Sequence, residues 1–147
     1  MKIGIGNDHA GTELKLAIIN HLEELGIEYV DYGVGVGEAI DYPVAAERVC
    51  REVVSGTVDR AILICGTGIG ISIAANKVKG IRACACSDSF SAKYTRLHND
   101  ANALCLGARV IGAGLACELV DLFLTTEFEG GRPQRRVDLI TEMEKQG

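Results

Sequence analysis

A cysteine and three glycines stand together in the segment ILICGTGIG, at the end of an apolar run. Cys65 comes directly before the glycines, and a helix is predicted to begin just after them. Aligned N–H groups at a helix N-terminus favour a thiolate, which makes this cysteine a candidate base. The alternative is that Cys65 is a small buried core residue, as most free cysteines are. Position alone leaves both interpretations open.

The glycine loop, residues 66–70, has the pattern GTGIG. It lacks the GxGxxG spacing of dinucleotide-binding folds and the lysine of a P-loop, and no arginine closes it as a cysteine phosphatase requires. A tight strand-to-helix turn needs one glycine. Three glycines let backbone N–H groups approach a small substrate closely and stabilise a developing oxyanion. The loop therefore favours an oxyanion-binding role.

Polar residues also occur beside other predicted elements. Asp8 and His9 lie in the first strand-to-helix loop, where each has an ordinary alternative as a helix cap or an exposed side chain. His98 and Asn99 close the fourth helix, where a histidine commonly just meets the negative end of the helix dipole. For each of these residues the functional and the ordinary interpretation stay open.

A basic cluster begins the last predicted helix, at Arg132, Arg135 and Arg136. Cations oppose the helix dipole there, so their presence indicates a ligand or partner that needs the charge, and arginine suits phosphate. The net charge of −5 disfavours nucleic-acid binding, which needs a basic face. An anionic ligand is therefore expected to be captured by a local group of cations.

Regular alternation of elements must position these residues. Residues 2–7 predict a strand, 11–25 a helix, and DRAILIC, GIRACAC and ANALCLGA are typical of buried strands separated by single helices. This pattern predicts an α/β fold, a Rossmann-like three-layer α/β/α sandwich with a five-stranded parallel sheet. Ligands bind at the carboxyl ends of such strands, so NDHAG, CGTGIG and GARV are expected at one rim.

Length and composition restrict the class of protein. The 147 residues suit a single domain, residues 1–147, and 48% hydrophobic with 24% charged residues is typical of a soluble globular protein. The N-terminus has no secretory leader pattern, so we expect a cytoplasmic protein without a membrane partner. The six cysteines lie mostly in apolar runs without a CxxC motif, which predicts free thiols and no metal site.

Six motifs occur in an order and spacing typical of one family: GNDHAG, DYP, ILICGTGIGISIAANKVKGIRA, HNDAN, GARV and EGGR…RRV. On these motifs the whole chain resembles ribose-5-phosphate isomerase B, in the family that also holds the galactose-6-phosphate isomerase subunits. The resemblance implies a metal-independent aldose–ketose isomerase without a cofactor, acting in pentose phosphate metabolism. It would interconvert ribose 5-phosphate and ribulose 5-phosphate through an enediolate.

The resemblance also implies a role for each matching residue. Cys65 is the base that moves a proton between C1 and C2, Thr67 assists transfer between the two oxygens, and His98 with Asp8 opens the furanose ring. Tyr42 lines the sugar pocket. The backbone amides that hold the enediolate are those of Gly66, Gly68, Ile69 and Gly70. The phosphate ligands are His9, Arg109, Arg132 and Arg136.

The resemblance further implies a homodimer, or a tetramer of such dimers, with each active site at the dimer interface. His98 and Asn99 would come from the neighbouring subunit, and the C-terminal helix would be used in dimerisation. Pro133 stands where the family often has histidine, which removes a polar contact near the phosphate. Two alternatives stay open: an isomerase of allose 6-phosphate or galactose 6-phosphate, and a non-catalytic sugar-phosphate-binding module.

Overall fold

The computed structural model describes residues 1–147. Its five strands are β1 (Lys2–Asn7), β2 (Glu28–Asp31), β3 (Arg60–Cys65), β4 (Ala83–Ala85) and β5 (Ala103–Gly107). Its six α-helices are α1 (Thr12–Glu24), α2 (Tyr42–Val54), α3 (Ile69–Ala75), α4 (Ser89–Leu97), α5 (Ala113–Thr125) and α6 (Arg132–Gln146). A short 3₁₀ turn, His9–Gly11, precedes α1. The predicted order of elements is confirmed.

The five strands form one sheet in the order β2-β1-β3-β5-β4, and every neighbouring pair is parallel. From β1 the chain crosses to the β2 edge, whereas from β3 it crosses towards β4. The direction of winding therefore changes between β1 and β3. A crevice for a ligand opens at such a switch point, at the carboxyl ends of the strands.

Two hydrophobic cores cover the two faces of the sheet. Successive side chains of a strand point to opposite faces. Accordingly, Ile62 and Ile64 of β3 pack in a core with α1, α4 and α5, whereas Leu63 and Cys65 pack in a core with α2 and α3. This arrangement confirms the predicted three-layer α/β/α sandwich.

Helix α3 differs from the prediction at both ends. The pattern predicts a helix over residues 71–78, whereas α3 begins at Ile69, directly after Gly68, and ends at Ala75. The end is set by Asn76, whose side chain accepts a hydrogen bond from the Ala83 N–H at 2.8 Å and donates to the Ala83 carbonyl at 2.9 Å. This contact ties the end of α3 to β4.

Helix α6 covers little of its own chain. Val137 is its single buried residue, and Leu139, Ile140 and Met143 are exposed. The use of this helix in dimerisation therefore stays a prediction. No helix of the protein is both long and apolar enough to cross a membrane.

Candidate active site

The segments after β1, β3 and β5 meet at one rim, as predicted. Backbone hydrogen bonds join them: the Asp8 N–H donates to the Ile64 carbonyl at 3.1 Å, and the Ala108 N–H donates to the Cys65 carbonyl at 2.9 Å. The Arg109 N–H donates to the Gly66 carbonyl at 3.0 Å. The first strand-to-helix loop and the glycine loop therefore share a rigid frame at the carboxyl edge of the sheet.

Cys65 ends β3 beneath the glycine loop and is 4% exposed. Its Sγ accepts a hydrogen bond from the Gly68 N–H at 3.2 Å. The burial agrees with the core interpretation, but the N–H group also directs a partial positive charge at the sulfur. A negatively charged sulfur would need such a donor, so this hydrogen bond is compatible with a base as well as with a core residue.

Close packing explains part of the glycine pattern. Gly68 has φ +79°, and a methyl group there would lie 2.9 Å from the Leu106 carbonyl carbon. At Gly70 it would lie 2.8 Å from Cζ of Tyr42, and at Gly107 it would lie 2.6 Å from the carbonyl carbon of Thr67. The loop therefore lies flat against β5 and the tyrosine ring. Gly107, the first residue of the GARV motif, is as necessary for this contact as the loop glycines.

Three exposed side chains surround the loop above the cysteine. The Tyr42 ring faces Gly70, and the Arg109 side chain lies beside Gly66. The Thr67 Oγ1 accepts a hydrogen bond from the Ile69 N–H at 3.2 Å, so its own proton is available to another acceptor. A thiol, a hydroxyl and a guanidinium group therefore lie around one small surface, which suits proton transfer on an anionic substrate.

Asp8 and His9 differ in their surroundings. Asp8 is 8% exposed, and its Oδ1 accepts a hydrogen bond from the Ala10 N–H at 3.0 Å, so it caps the 3₁₀ turn. His9 is exposed and lines a cavity of about 600 Å³ together with Glu13 and Glu38. Cys65 does not line that cavity. Within one chain the cavity that His9 faces is therefore not lined by the thiol.

His98, Asn99 and Arg136 come together at a second place, where they line a cavity of about 430 Å³ with Tyr94. The His98 Nε2 lies 3.5 Å from the Glu129 Oε2. Arg132 is exposed at the first residue of α6. The structure therefore places Arg136 with His98 and not with Arg109, although the resemblance groups both arginines as phosphate ligands.

The topology separates this second group from the cysteine. Helix α4 runs from the carboxyl end of β4 back to the amino end of β5. Its last residues therefore lie at the amino edge of the sheet, whereas Cys65 is paired with Gly107 at the carboxyl edge. From the Ala61–Ala103 pair to the Cys65–Gly107 pair the strands span about 13 Å. One chain thus carries His98 and Asn99 near the amino edge of the sheet and Cys65 at the carboxyl edge.

Sequence reasoning missed two buried polar residues that hold the rim. Asn7 donates to the carbonyls of Asp8 and Val34 at 2.8 and 3.3 Å, and it accepts from the Val34 N–H at 3.1 Å. The Lys15 Nζ donates to the same Val34 carbonyl at 2.6 Å and pairs with Asp31 at 3.1 Å. A polar residue that ends a buried strand, and a lysine on the apolar face of α1, are the signs that identify them.

The fold is that of an α/β protein whose parallel sheet carries a thiol, a hydroxyl and an arginine at its carboxyl edge. The family model described as Ribose/Galactose Isomerase matches residues 3–140. This match covers most of the chain. The protein belongs to this family of isomerases, as its motifs predicted.

Individual relatives match this chain over nearly its whole length. Ribose-5-phosphate isomerase B of Escherichia coli is 51% identical over 144 residues, which cover 98% of this chain and 97% of the relative. The structure of Clostridium thermocellum ribose-5-phosphate isomerase B superposes with a TM-score of 0.97 at 53% identity and covers 99% of each chain. The Mycoplasma genitalium enzyme with bound ribulose-5-phosphate has a TM-score of 0.94 at 42% identity, over 99% of this chain and 97% of that one. The predicted fold class and family are confirmed.

Proposed function

We propose that the protein interconverts ribose 5-phosphate and ribulose 5-phosphate by metal-independent proton transfer, with Cys65 as the base. One observation carries the proposal: in a chain of this family, the Cys65 Sγ lies 3.2 Å from the Gly68 N–H, beside Thr67. The similarity to ribose-5-phosphate isomerases B, and the ribulose-5-phosphate bound to the M. genitalium enzyme, support the substrate.

The proposed reaction begins on the open-chain aldose phosphate. The Cys65 thiolate removes the proton from C2, the C–H electron pair forms the C1=C2 bond, and the carbonyl electron pair moves onto O1. The Thr67 hydroxyl passes the proton of O2 to O1. The thiol then returns its proton to C1 while C2=O forms, so that atoms and charge balance.

Two local effects account for much of the rate. A positioned base typically contributes about 10²- to 10⁴-fold. Removal of a single N–H donor aimed at the developing oxyanion costs about 3 kcal/mol in transition-state stabilisation. The backbone amides of residues 66–70 are the donors in this proposal, and those of Gly68 and Ile69 would exchange their hydrogen bonds to the Cys65 Sγ and the Thr67 Oγ1 for the oxyanion. They are held in place by the contact of the loop with β5 and therefore need little rearrangement during the reaction.

We further propose that the second group of residues acts on the neighbouring copy in a homodimer, alone or paired into a tetramer. His98 with Asp8 would open the furanose ring, and Asn99, Arg132 and Arg136 would bind the substrate. The separation of these residues from Cys65 in one chain, their exposure, and the exposed apolar face of α6 support this arrangement. The phosphate would then lie between arginines of two chains, in a cytoplasmic enzyme.

The test is aldose-to-ketose turnover with a chelator present, using ribose 5-phosphate, allose 6-phosphate and galactose 6-phosphate. We expect ribose 5-phosphate to react fastest, and Cys65→Ala to abolish the reaction. Cys117→Ala is the matched control because this thiol lies on α5, outside the rim, and should retain full activity. Preference for a six-carbon substrate would reassign the substrate, whereas binding without any turnover would favour a binding module.

A further inference from the structure

Hydrogen bonds from two arginines hold the turn after α4, residues 98–101. Asp100 is the single non-glycine residue with a positive φ, at 48°. Its Oδ1 accepts a hydrogen bond from Nη1 of Arg96 at 2.8 Å, and its Oδ2 accepts one from Nη2 of Arg82 at 3.3 Å. The carboxylate thus joins an arginine of α4 to an arginine that precedes β4.

The same two arginines hold three consecutive backbone carbonyls of the turn. The Arg82 Nε donates to the carbonyl of Asn99 at 3.1 Å and to that of Asp100 at 3.0 Å. Arg96 Nη1 donates to the carbonyl of Ala101 at 2.7 Å. Guanidinium groups are planar and give directional, charge-assisted hydrogen bonds. The backbone of the turn is therefore fixed from two sides.

The cluster of Arg82, Arg96 and Asp100 is buried at its Arg96 end, which favours a rigid arrangement. Arg96 is 4% exposed, so its charge depends on Asp100 and on carbonyl partners for compensation. By contrast, the His98 side chain is exposed, and its Nε2 lies 3.5 Å from Glu129 at the surface. The imidazole also meets the Tyr94 ring edge to face, with the ring centroids 4.9 Å apart. Both contacts depend on where the backbone of the turn lies, and that backbone is held by Arg82, Arg96 and Asp100.

From these contacts we infer that Asp100 and Arg82 are positioning residues of the isomerase, which act through His98 and Asn99 without touching the substrate. This inference rests on the proposed function, in which those two residues complete the neighbouring site. A misplacement of catalytic groups by about 1 Å costs on the order of 100-fold in rate. Release of the turn should therefore reduce turnover while the rest of the fold stays intact.

The first test is a double-mutant cycle. Asp100→Asn keeps a side chain that tolerates a positive φ, but it removes the charge and replaces one of the two accepting oxygens with a donating NH2 group. We expect a loss of about 10- to 100-fold in kcat for ribose 5-phosphate in the otherwise native enzyme, but of less than about 5-fold in a His98→Asn background, because residues that act as a unit are not additive. At enzyme concentrations where turnover still rises with enzyme, the same factor in both backgrounds would overturn the inference, since a purely structural defect multiplies with any other loss.

A second variant guards against failure to fold. Arg82→Met leaves the buried Arg96–Asp100 pair in place and should give the same pattern in the cycle. The matched control is Arg60→Met, which removes a half-buried arginine that donates to the Phe123 carbonyl at 2.6 Å and makes no hydrogen bond to the turn. This control should lose stability without the selective loss of kcat. An equal loss of kcat in the Arg60 variant would overturn the inference.

Amide hydrogen exchange provides a readout that does not depend on activity. In Asp100→Asn and Arg82→Met, amides of residues 98–101 should exchange at least about 10-fold faster, while those of β3 and β5 keep their protection. Unchanged exchange in the turn would overturn the inference even if the wild type turned over no sugar phosphate. Absence of turnover by the wild type would instead contradict the proposed function, so the two failures are distinguishable.

Discussion

The contact between the glycine loop and β5 predicts a specific result for Gly68→Ala. An alanine at φ +79° pays a left-handed penalty of about 1–2 kcal/mol. Its methyl group would also lie 2.9 Å from the Leu106 carbonyl carbon and 3.1 Å from the Gly107 nitrogen. These are backbone atoms of a central strand, so they cannot turn aside, and such overpacking costs about 1–3 kcal/mol. The expected total is about 2–5 kcal/mol in the free energy of unfolding.

Gly56→Ala is the matched control. Gly56 has φ +82°, nearly the same conformation, but a methyl group there would meet no atom within 4 Å. The left-handed penalty therefore cancels in the comparison. Urea unfolding at one protein concentration should show the Gly68 variant less stable than the Gly56 variant by about 1–3 kcal/mol.

The same pair of variants separates packing from chemistry. Displacement of residue 68 moves the N–H that donates to the Cys65 Sγ, so kcat for ribose 5-phosphate should fall at least about 10-fold, given that loss of a single donor costs about 10²-fold or more. Gly56→Ala should keep the native kcat. Equal stabilities of the two variants, or a native kcat in Gly68→Ala, would refute the reasoning from this contact.

Three further predictions concern Cys65, His98 and the buried thiols. Cys65→Ser should lose about 10²- to 10⁴-fold in kcat, because the hydroxyl is a poor base at neutral pH, yet bind ribose 5-phosphate with native affinity by calorimetry; weakened binding would give Cys65 a different role. In His98→Asn, turnover of ribose 5-phosphate should stop rising with enzyme concentration once spontaneous ring opening limits the rate. Deuterium exchange at C1 of ribulose 5-phosphate, followed by NMR, should persist because this ketose has no furanose ring to open. Loss of both activities would contradict a role of His98 that is confined to ring opening. Burial raises the pKa of Cys50 and of Cys86 to about 12. Unfolded thiols ionise from about pH 8.5, so the free energy of unfolding should fall between about pH 8.5 and 12, by about 1 kcal/mol per pH unit for each thiol; Cys50→Ala should flatten the decline of the urea midpoint, and an unchanged slope would contradict this assignment.

Local sequence patterns were sufficient to predict the layers of the fold and the candidate residues at the carboxyl edge of the sheet. The apolar runs of β1, β3 and β5 and the helical spacing between them predicted a parallel sheet, and the rule that ligands bind at carboxyl ends predicted the rim. Cys65, Thr67 and Arg109 are found there. These features depend on residues close together in the sequence, which explains why they could be predicted.

The remainder depends on contacts between distant segments. The end of α3 is set by Asn76 against Ala83, which no window of local sequence contains. The distance of His98 from the rim depends on β5 lying between β3 and β4, and strand order is not encoded in periodicity. Arg82 reaches the turn after α4 only because β4 pairs with β5. The separation of Cys65 and His98 therefore required the structure.

The placement of Cys65 and His98 at opposite edges of the sheet has an evolutionary consequence if each active site is shared between two chains. Each site would draw one group from each of two chains, so a duplicated gene would free each copy to lose one group. One copy could keep the thiol and the other the histidine, and neither would act alone. A self-sufficient homodimer of this design is thus one duplication away from an obligate pair of different subunits, and a duplicated chain with an altered glycine loop need not be a failed enzyme.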